Sequence, residues 1–413
     1  AKFNFESVYF ETIISTDMDQ IAFSSGELVK QWKTGERNYY HYKSEGKIDH
    51  LVAYFSGKYQ IEKVTHRGIN IELFYLPQHY RNVSEMIKVT KATIDYCTDN
   101  FGAYPHKYLR IGEMSTFAGS NGQAMPGVIS INERIFKKSI VNPESFNVVA
   151  RVLVHEISHQ WWGLLLTPKQ IEGALFISES FAKYSETVIL EKLYGKEMVN
   201  RLSAYTLRKY FTGRSRASIA EPALYVTAQQ QYLAYSKGAI VLNAIRELIG
   251  ETALNKALKS LISKHNTEAT STSLNFLEEL YAVTSKENHA LINDWIKRVI
   301  SYDLGIKTAT YKVLKNNKYE INVIISAQRY QTNKNGTKDK ININEYIQIG
   351  VYEQHQKQFT ENETLYLKPH LINAEEMEFS FVVNHIPKYI GIDPSYTRLD
   401  RNVSNNVKLI LPK

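Results

Sequence analysis

Three residues in the stretch LVHEISHQWWG, 153 to 163, are of types and at a spacing that could do chemistry together: His155, Glu156 and His159. Helix residues four apart lie about 40° from one another and one turn along, so both imidazoles can reach a single metal ion. Glu156 falls to the side of that pair. Its carboxylate is poorly placed to ligate but can hydrogen-bond a water on the ion. The H-E-x-x-H spacing therefore points to metal-assisted hydrolysis, and the ligand types suit zinc. The competing reading is a chance spacing of two core histidines and an acid. Burial weighs against it, because Val148, Val149, Val152, Leu153, Val154 and Ile157 surround the same helix. A charged Glu in such a setting is costly unless a cation offsets it.

The element that must position these residues reads VNPESFNVVARVLVHEISHQWWG. Asn142 can cap it, Pro143 suits the first helical position, Glu144 complements the N-terminal dipole, and Gly163 can take a left-handed C-terminal position. A helix of about five turns is expected. A catalytic zinc site uses three protein ligands and one open position. The following helix, ISESFAKYSETVILEKLYG, offers Glu179 in its first turn, and Gly195 closes it. Returning antiparallel beside the first helix, it would aim Glu179 at the two imidazoles. Glu186, seven residues on, shares that face and suits a carboxylate that hydrogen-bonds one of the ligands.

HEISHQWWG followed by FISESFAKYSE resembles the zinc aminopeptidases of the aminopeptidase N and leukotriene hydrolase type, the gluzincins. Their pattern is HExxH, 18 intervening residues and the ligand Glu, usually in an NEGFA-like segment; here 19 residues separate His159 from Glu179. The extra residue is expected in the loop around Leu166 to Leu175. Ser178 occupies the literal ligand position and cannot replace a carboxylate. The segment QYLAYSKGAIVLNAIRELIG is similar to the family's YxKG segment, with Tyr235, Ser236, Lys237 and Gly238 in the matching places. The resemblance implies that Tyr235 hydrogen-bonds the oxyanion of a tetrahedral intermediate. One feature departs from the family. Its aminopeptidases carry a GAMEN loop whose Glu binds the substrate's free α-amino group. Here LRIGEMSTFAGSNGQAMPGVISINERIF keeps a likeness at Ala124 and Met125 and again from Gly127 to Ile131, without that Glu or Asn. Glu113, on the preceding strand, is the acid that could reach the site instead. Glu113, Ala124, Met125 and Gly127 are accordingly the expected substrate-binding positions.

The rest of the chain fits an α+β multidomain protein. With 413 residues it is long enough for two or three domains. Residues 1–82 read as a partial N-terminal β domain, 83–304 as a thermolysin-like zinc peptidase domain with a helical bundle, and 305–413 as a C-terminal β-sandwich of about seven strands. Asn335-Gly336 marks a turn inside the last of these. A lone Cys97 excludes an internal disulfide. The net charge of +8 is spread without a basic run, which favours solubility and nearness to an anionic membrane over nucleic-acid binding. No apolar stretch is long enough to span a bilayer. The start at Ala1, directly into strand-like sequence, suggests a piece of a longer protein.

HQWWG, SESxAKY and YxKG without an evident GAMEN resemble a sub-branch found as the soluble domain of bacterial membrane proteins that carry ABC-type transporter permease segments. The implied protein holds one Zn2+, acts on peptides, and is associated with the membrane through spanning segments of its own parent chain. The alternative is a zinc-bearing, peptide-binding transport module with little turnover.

Overall fold

Alternation of apolar and polar residues near the N-terminus produces short strands: β1 (Glu11–Asp17), β2 (Ile21–Phe23), β3 (Glu27–Thr34), β4 (Arg37–Lys43), β5 (Phe55–Gly57), β6 (Gln60–His66) and β7 (Ile69–Tyr75). These come from a computed structural model that describes residues 7–138, 146–169, 171–265, 271–354 and 364–413. The chain forms two compact units, Ala1–Leu193 with Asn255–Glu279 and Tyr194–Leu254 with Leu280–Lys413.

In the first unit β1, β4 and β3 form one antiparallel sheet, and β2 pairs with β5. A five-stranded sheet in the order β6-β7-β8-β10-β9 follows, built with β8 (Tyr108–Met114), β9 (Gly122–Met125) and β10 (Val128–Asn132). Two of its strands, β6 and β7, lie N-terminal to residue 83. The central neighbours β7, β8 and β10 run parallel, whereas β9 is an antiparallel edge strand. Parallel strands are covered on both faces, and six of the seven residues of β8 are buried. Helix α1 (Val83–Phe101) packs against α3 (Val148–Ser158), with the short α2 (Glu133–Phe136) between them in sequence; α4 (Phe181–Tyr194) comes next.

Helix α3 is shorter than the five turns expected. Asn147 is its cap, accepting a hydrogen bond from the Ala150 N–H at 3.0 Å, while Asn142, Pro143 and Glu144 lie outside the described residues. After Ser158 the chain leaves the helix and buries both indoles of the WW pair. Trp161 donates to Gly102 O at 2.8 Å, at the end of α1, and Trp162 donates to Ser185 Oγ at 2.9 Å, on α4. Gly163, with φ of +108°, serves this turn rather than the helix end.

The second unit carries α5 (Lys196–Arg216) and α6 (Gly238–Ile249). The helical run continues through α7 (Glu251–His265), α8 (Ser273–Ala282) and α9 (His289–Lys297). Then come β11 (Ile300–Val313), β12 (Tyr319–Thr332), β13 (Lys338–Ile341), β14 (Glu345–Tyr352), β15 (Thr364–Ile372), β16 (Glu376–Val383), β17 (Tyr389–Ile392), β18 (Val407–Leu409) and β19 (Leu411–Pro412). They make two sheets, β13-β12-β11-β19 with β16 also on β12, and β15-β14-β17-β18. Leu304, Val323 and Ile325 of one meet Ile347, Ile349 and Ile390 of the other in a single core, which is a β-sandwich. The short β18 and β19 carry the strand count past the seven expected. Arg398, fully buried, ties the sandwich together: it donates to Glu345 Oε2 at 2.8 Å and lies over the Trp295 ring of α9.

Candidate metal centre

Helix α3 brings the Nε2 atoms of His155 and His159 to 3.3 Å from each other. Glu179 completes the group, its Oε2 standing 3.3 Å from each of those nitrogens. Donor atoms around a tetrahedral ion with bonds of about 2.0–2.1 Å stand about 3.3–3.4 Å apart, so the triangle has the size that zinc requires. His159 donates its Nδ1–H to Trp162 O at 2.8 Å, which leaves the Nε2 lone pair directed into the triangle. The shared Oε2 of Glu179 is buried without a hydrogen-bond partner. Two imidazole nitrogens and a carboxylate oxygen facing one another need positive charge between them. The titration behaviour agrees. Burial opposes a charge on His159, yet the Glu179 carboxylate outweighs it and raises the ring to about 9. Burial would likewise raise Glu179, but the two histidines hold it well below the ordinary carboxylate value. These residues fit a divalent cation.

Glu179 sits in a π-helical turn, Phe176–Ser180, that opens α4. Such a turn takes one residue more than an α turn, enough to absorb the one-residue excess between His159 and the acid. Ser178 bonds back to Ala174 O at 3.3 Å. Glu186 is fully buried with Oε2 at 3.5 Å from His155 Nδ1, on the side of the ring away from the triangle. Its other oxygen accepts from the buried Lys183 ammonium, with Arg151 Nη1 at 3.9 Å. Lys183 and Arg151 are members of the site that spacing alone did not single out.

Glu156, only 8% exposed, lies beside the triangle and outside it. Burial raises its carboxyl above the ordinary range, partly offset by His155 and His159. Against it comes Gly122 of the edge strand β9. The strand is held in place by Gln160, one residue beyond His159 and fully buried: its Nε2 donates to Met125 O at 3.0 Å, and its Oε1 accepts from Gly127 N–H at 2.9 Å.

These contacts occupy three of the four expected substrate-binding positions. Met125 is buried and its carbonyl is taken by Gln160. Gly127 turns the β9–β10 hairpin at φ of +65°, with its N–H also taken, and a Cβ there would meet the Tyr108 ring at 2.3 Å. Glu113 is 2% exposed; its carboxylate accepts from Leu76 N–H at 2.8 Å and pairs with His79 Nδ1 at 2.5 Å. That binds it to the segment before α1 instead of presenting it to a substrate amine. Ala124 stays half-buried on β9. Tyr235 belongs to the second unit, half-buried in another π-helical turn, Tyr232–Lys237. That turn is anchored by the buried Lys237, whose ammonium donates to Glu221 Oε1 at 2.7 Å, while Tyr210 donates to Glu221 Oε2 at 2.9 Å. Gly122 and Gln160 were missed, although Gln160 stands inside the motif; its partners are more than thirty positions away.

The model of the Peptidase family M1 domain matches residues 85–295, just over half of the chain. Human endoplasmic reticulum aminopeptidase 2 is 24% identical over 235 residues, 54% of this chain and 24% of that protein. Aminopeptidase N of Lactobacillus helveticus is 24% identical over 281 residues, 63% of this chain and 32% of that one. The chain thus spans about a quarter to a third of the length of these relatives. Among solved structures, Legionella pneumophila aminopeptidase A in complex with aspartic acid superimposes with a TM-score of 0.62 at 16% identity, covering 95% of this chain and 44% of that one. That likeness shows a shared fold.

Proposed function

This chain belongs to peptidase family M1, and from that membership and the geometry of α3 and α4 we propose that it is a zinc-dependent metallopeptidase of aminopeptidase-like type. The observation that carries the reading is the triangle of His155 Nε2, His159 Nε2 and Glu179 Oε2, 3.3 Å on every side, with the Glu156 carboxylate beside it. One zinc ion held there would supply Lewis-acid polarisation of the scissile carbonyl and acidify a water toward neutral pH. Glu156 takes the proton from the attacking water and passes it to the leaving amine. Its burial raises its proton affinity, which suits a group that must accept and return a proton. Glu186, held by Lys183, orients His155. Tyr235, by its place in the YxKG segment, donates a hydrogen bond to the oxyanion.

Exopeptidase specificity is open to a direct test. Strand β9 offers Gly122, Gln123, Ala124 and Met125, none of them an acid, and Glu113 is engaged elsewhere. Matched peptides with free and acetylated N-termini, given to the zinc-loaded protein and to its Glu156→Gln variant, separate the outcomes. Cleavage of the free peptide alone, lost in Glu156→Gln while zinc is retained, is the aminopeptidase result. Equal cleavage of both removes the exopeptidase reading. No cleavage of either leaves a zinc-bearing peptide-binding module. We further propose that the chain serves as the soluble domain of a larger bacterial membrane protein with ABC-type permease segments. The motif set without GAMEN and the charge of +8 support this, and no described helix is long and apolar enough to cross a membrane itself. Recovery of the native protein in the soluble fraction of its source cells would overturn that membrane context.

A further inference from the structure

The three heavy atoms nearest to a Cβ built on Gly122 all belong to Glu156: Cγ and Oε1 at 2.7 Å and Cδ at 2.8 Å. Side-chain carbons do not approach so closely in packed interiors. The backbone at Gly122 is not in the left-handed region, so an alanine is conformationally allowed there. Glycine is required at this position by the Glu156 side chain and not by the strand. Strand β9 cannot withdraw to make room. It pairs with β10 from Gly122 opposite Ile131 to Met125 opposite Val128, and Gln160 grips its far end through Met125 O and Gly127 N–H.

We propose that Gly122 is a positioning residue for Glu156: the bare backbone of β9, whose far end Gln160 holds, leaves the space in which the carboxylate lies beside the two imidazoles. The inference rests on the proposed role of Glu156 as general base. The relief available to a Cβ at 122 is rotation of the whole Glu156 side chain, since its Cγ, Cδ and Oε1 all stand in the way. That rotation leaves β9 and α3 in place and removes the base from its position, so catalysis and stability separate. A residue that merely fills space would move both together.

The test compares Gly122→Ala with the unaltered protein in zinc content, thermal melting, kcat and KM on a peptide substrate, and crystal structure. Zinc content and melting are expected to hold, KM to stay within about twofold, and kcat to fall on the order of 100-fold, the effect of a displacement of about 1 Å at a catalytic group. The crystal structure should show the Glu156 carboxylate rotated away from β9. In a Glu156→Ala background, which lacks Cγ, Cδ and Oε1, the added alanine should cost less than about twofold in the residual kcat. Unchanged kcat with Glu156 unmoved overturns the proposal. So does parallel loss of zinc and melting temperature, which marks general disruption. If the unaltered protein cleaves no peptide, the peptidase reading has failed, and the position of Glu156 in the Gly122→Ala crystal decides this inference by itself.

Discussion

Two groups that mix histidine with glutamate stand among the described residues of the first unit, and their wiring separates them. His155, His159 and Glu179 form one; His79, Glu113 and Glu133 form the other, and in each the potential ligand atoms lie within 4.8 Å of one another. In the second group every carboxylate oxygen already has a protein donor or histidine partner. Glu113 is held by Leu76 N–H and His79, and Glu133 by Thr116 N–H at 3.1 Å and Lys137 Nζ at 2.7 Å. A cation there would have to displace backbone amides or an ammonium. In the first group the oxygen shared by both imidazoles has no hydrogen-bond donor, and three acceptor atoms converge on one point. Residue type is therefore a weak guide to a metal site. Unsatisfied atoms aimed at a common centre are a strong one.

Substitutions sharpen the contrast in order of size. Glu179→Ala should abolish zinc retention and turnover together, measured by metal analysis and peptide cleavage; a zinc-loaded, active Glu179→Ala protein would break the distinction. Glu186→Ala removes the carboxylate behind His155 and should weaken zinc binding by about 10- to 100-fold in a chelator competition, with the fold retained. Glu113→Ala should leave zinc content and affinity untouched. It strands a part-buried amide and an imidazole, at a cost of about 1–3 kcal/mol in denaturant unfolding. Loss of zinc in that variant would move the second group into the metal-binding class.

What the sequence disclosed follows the range of the interactions. His155, Glu156 and His159 were legible because four-residue spacing on an apolar helix is local geometry. Glu179 and Glu186 were legible as one face of the next helix. The partners of Glu113 were not legible, because Leu76 and His79 lie 37 and 34 residues away and carry no pattern. The same holds for Met125 and Gly127, whose partner Gln160 lies more than thirty residues on, just beyond α3. The β-sandwich was visible in alternating strands, whereas the membership of β6 and β7 in the sheet of β8 depends on pairing that no local period encodes. The π turns under Glu179 and Tyr235 were invisible, since helix-forming residues read alike whichever turn they adopt.

The proposed function requires one ion, held where α3 meets the turn that opens α4. Anomalous diffraction at the zinc edge from crystals of the zinc-loaded protein tests it most directly. A single peak within about 2.1 Å of His155 Nε2, His159 Nε2 and Glu179 Oε2 is the predicted result. No peak there, or a peak among His79, Glu113 and Glu133, would contradict it.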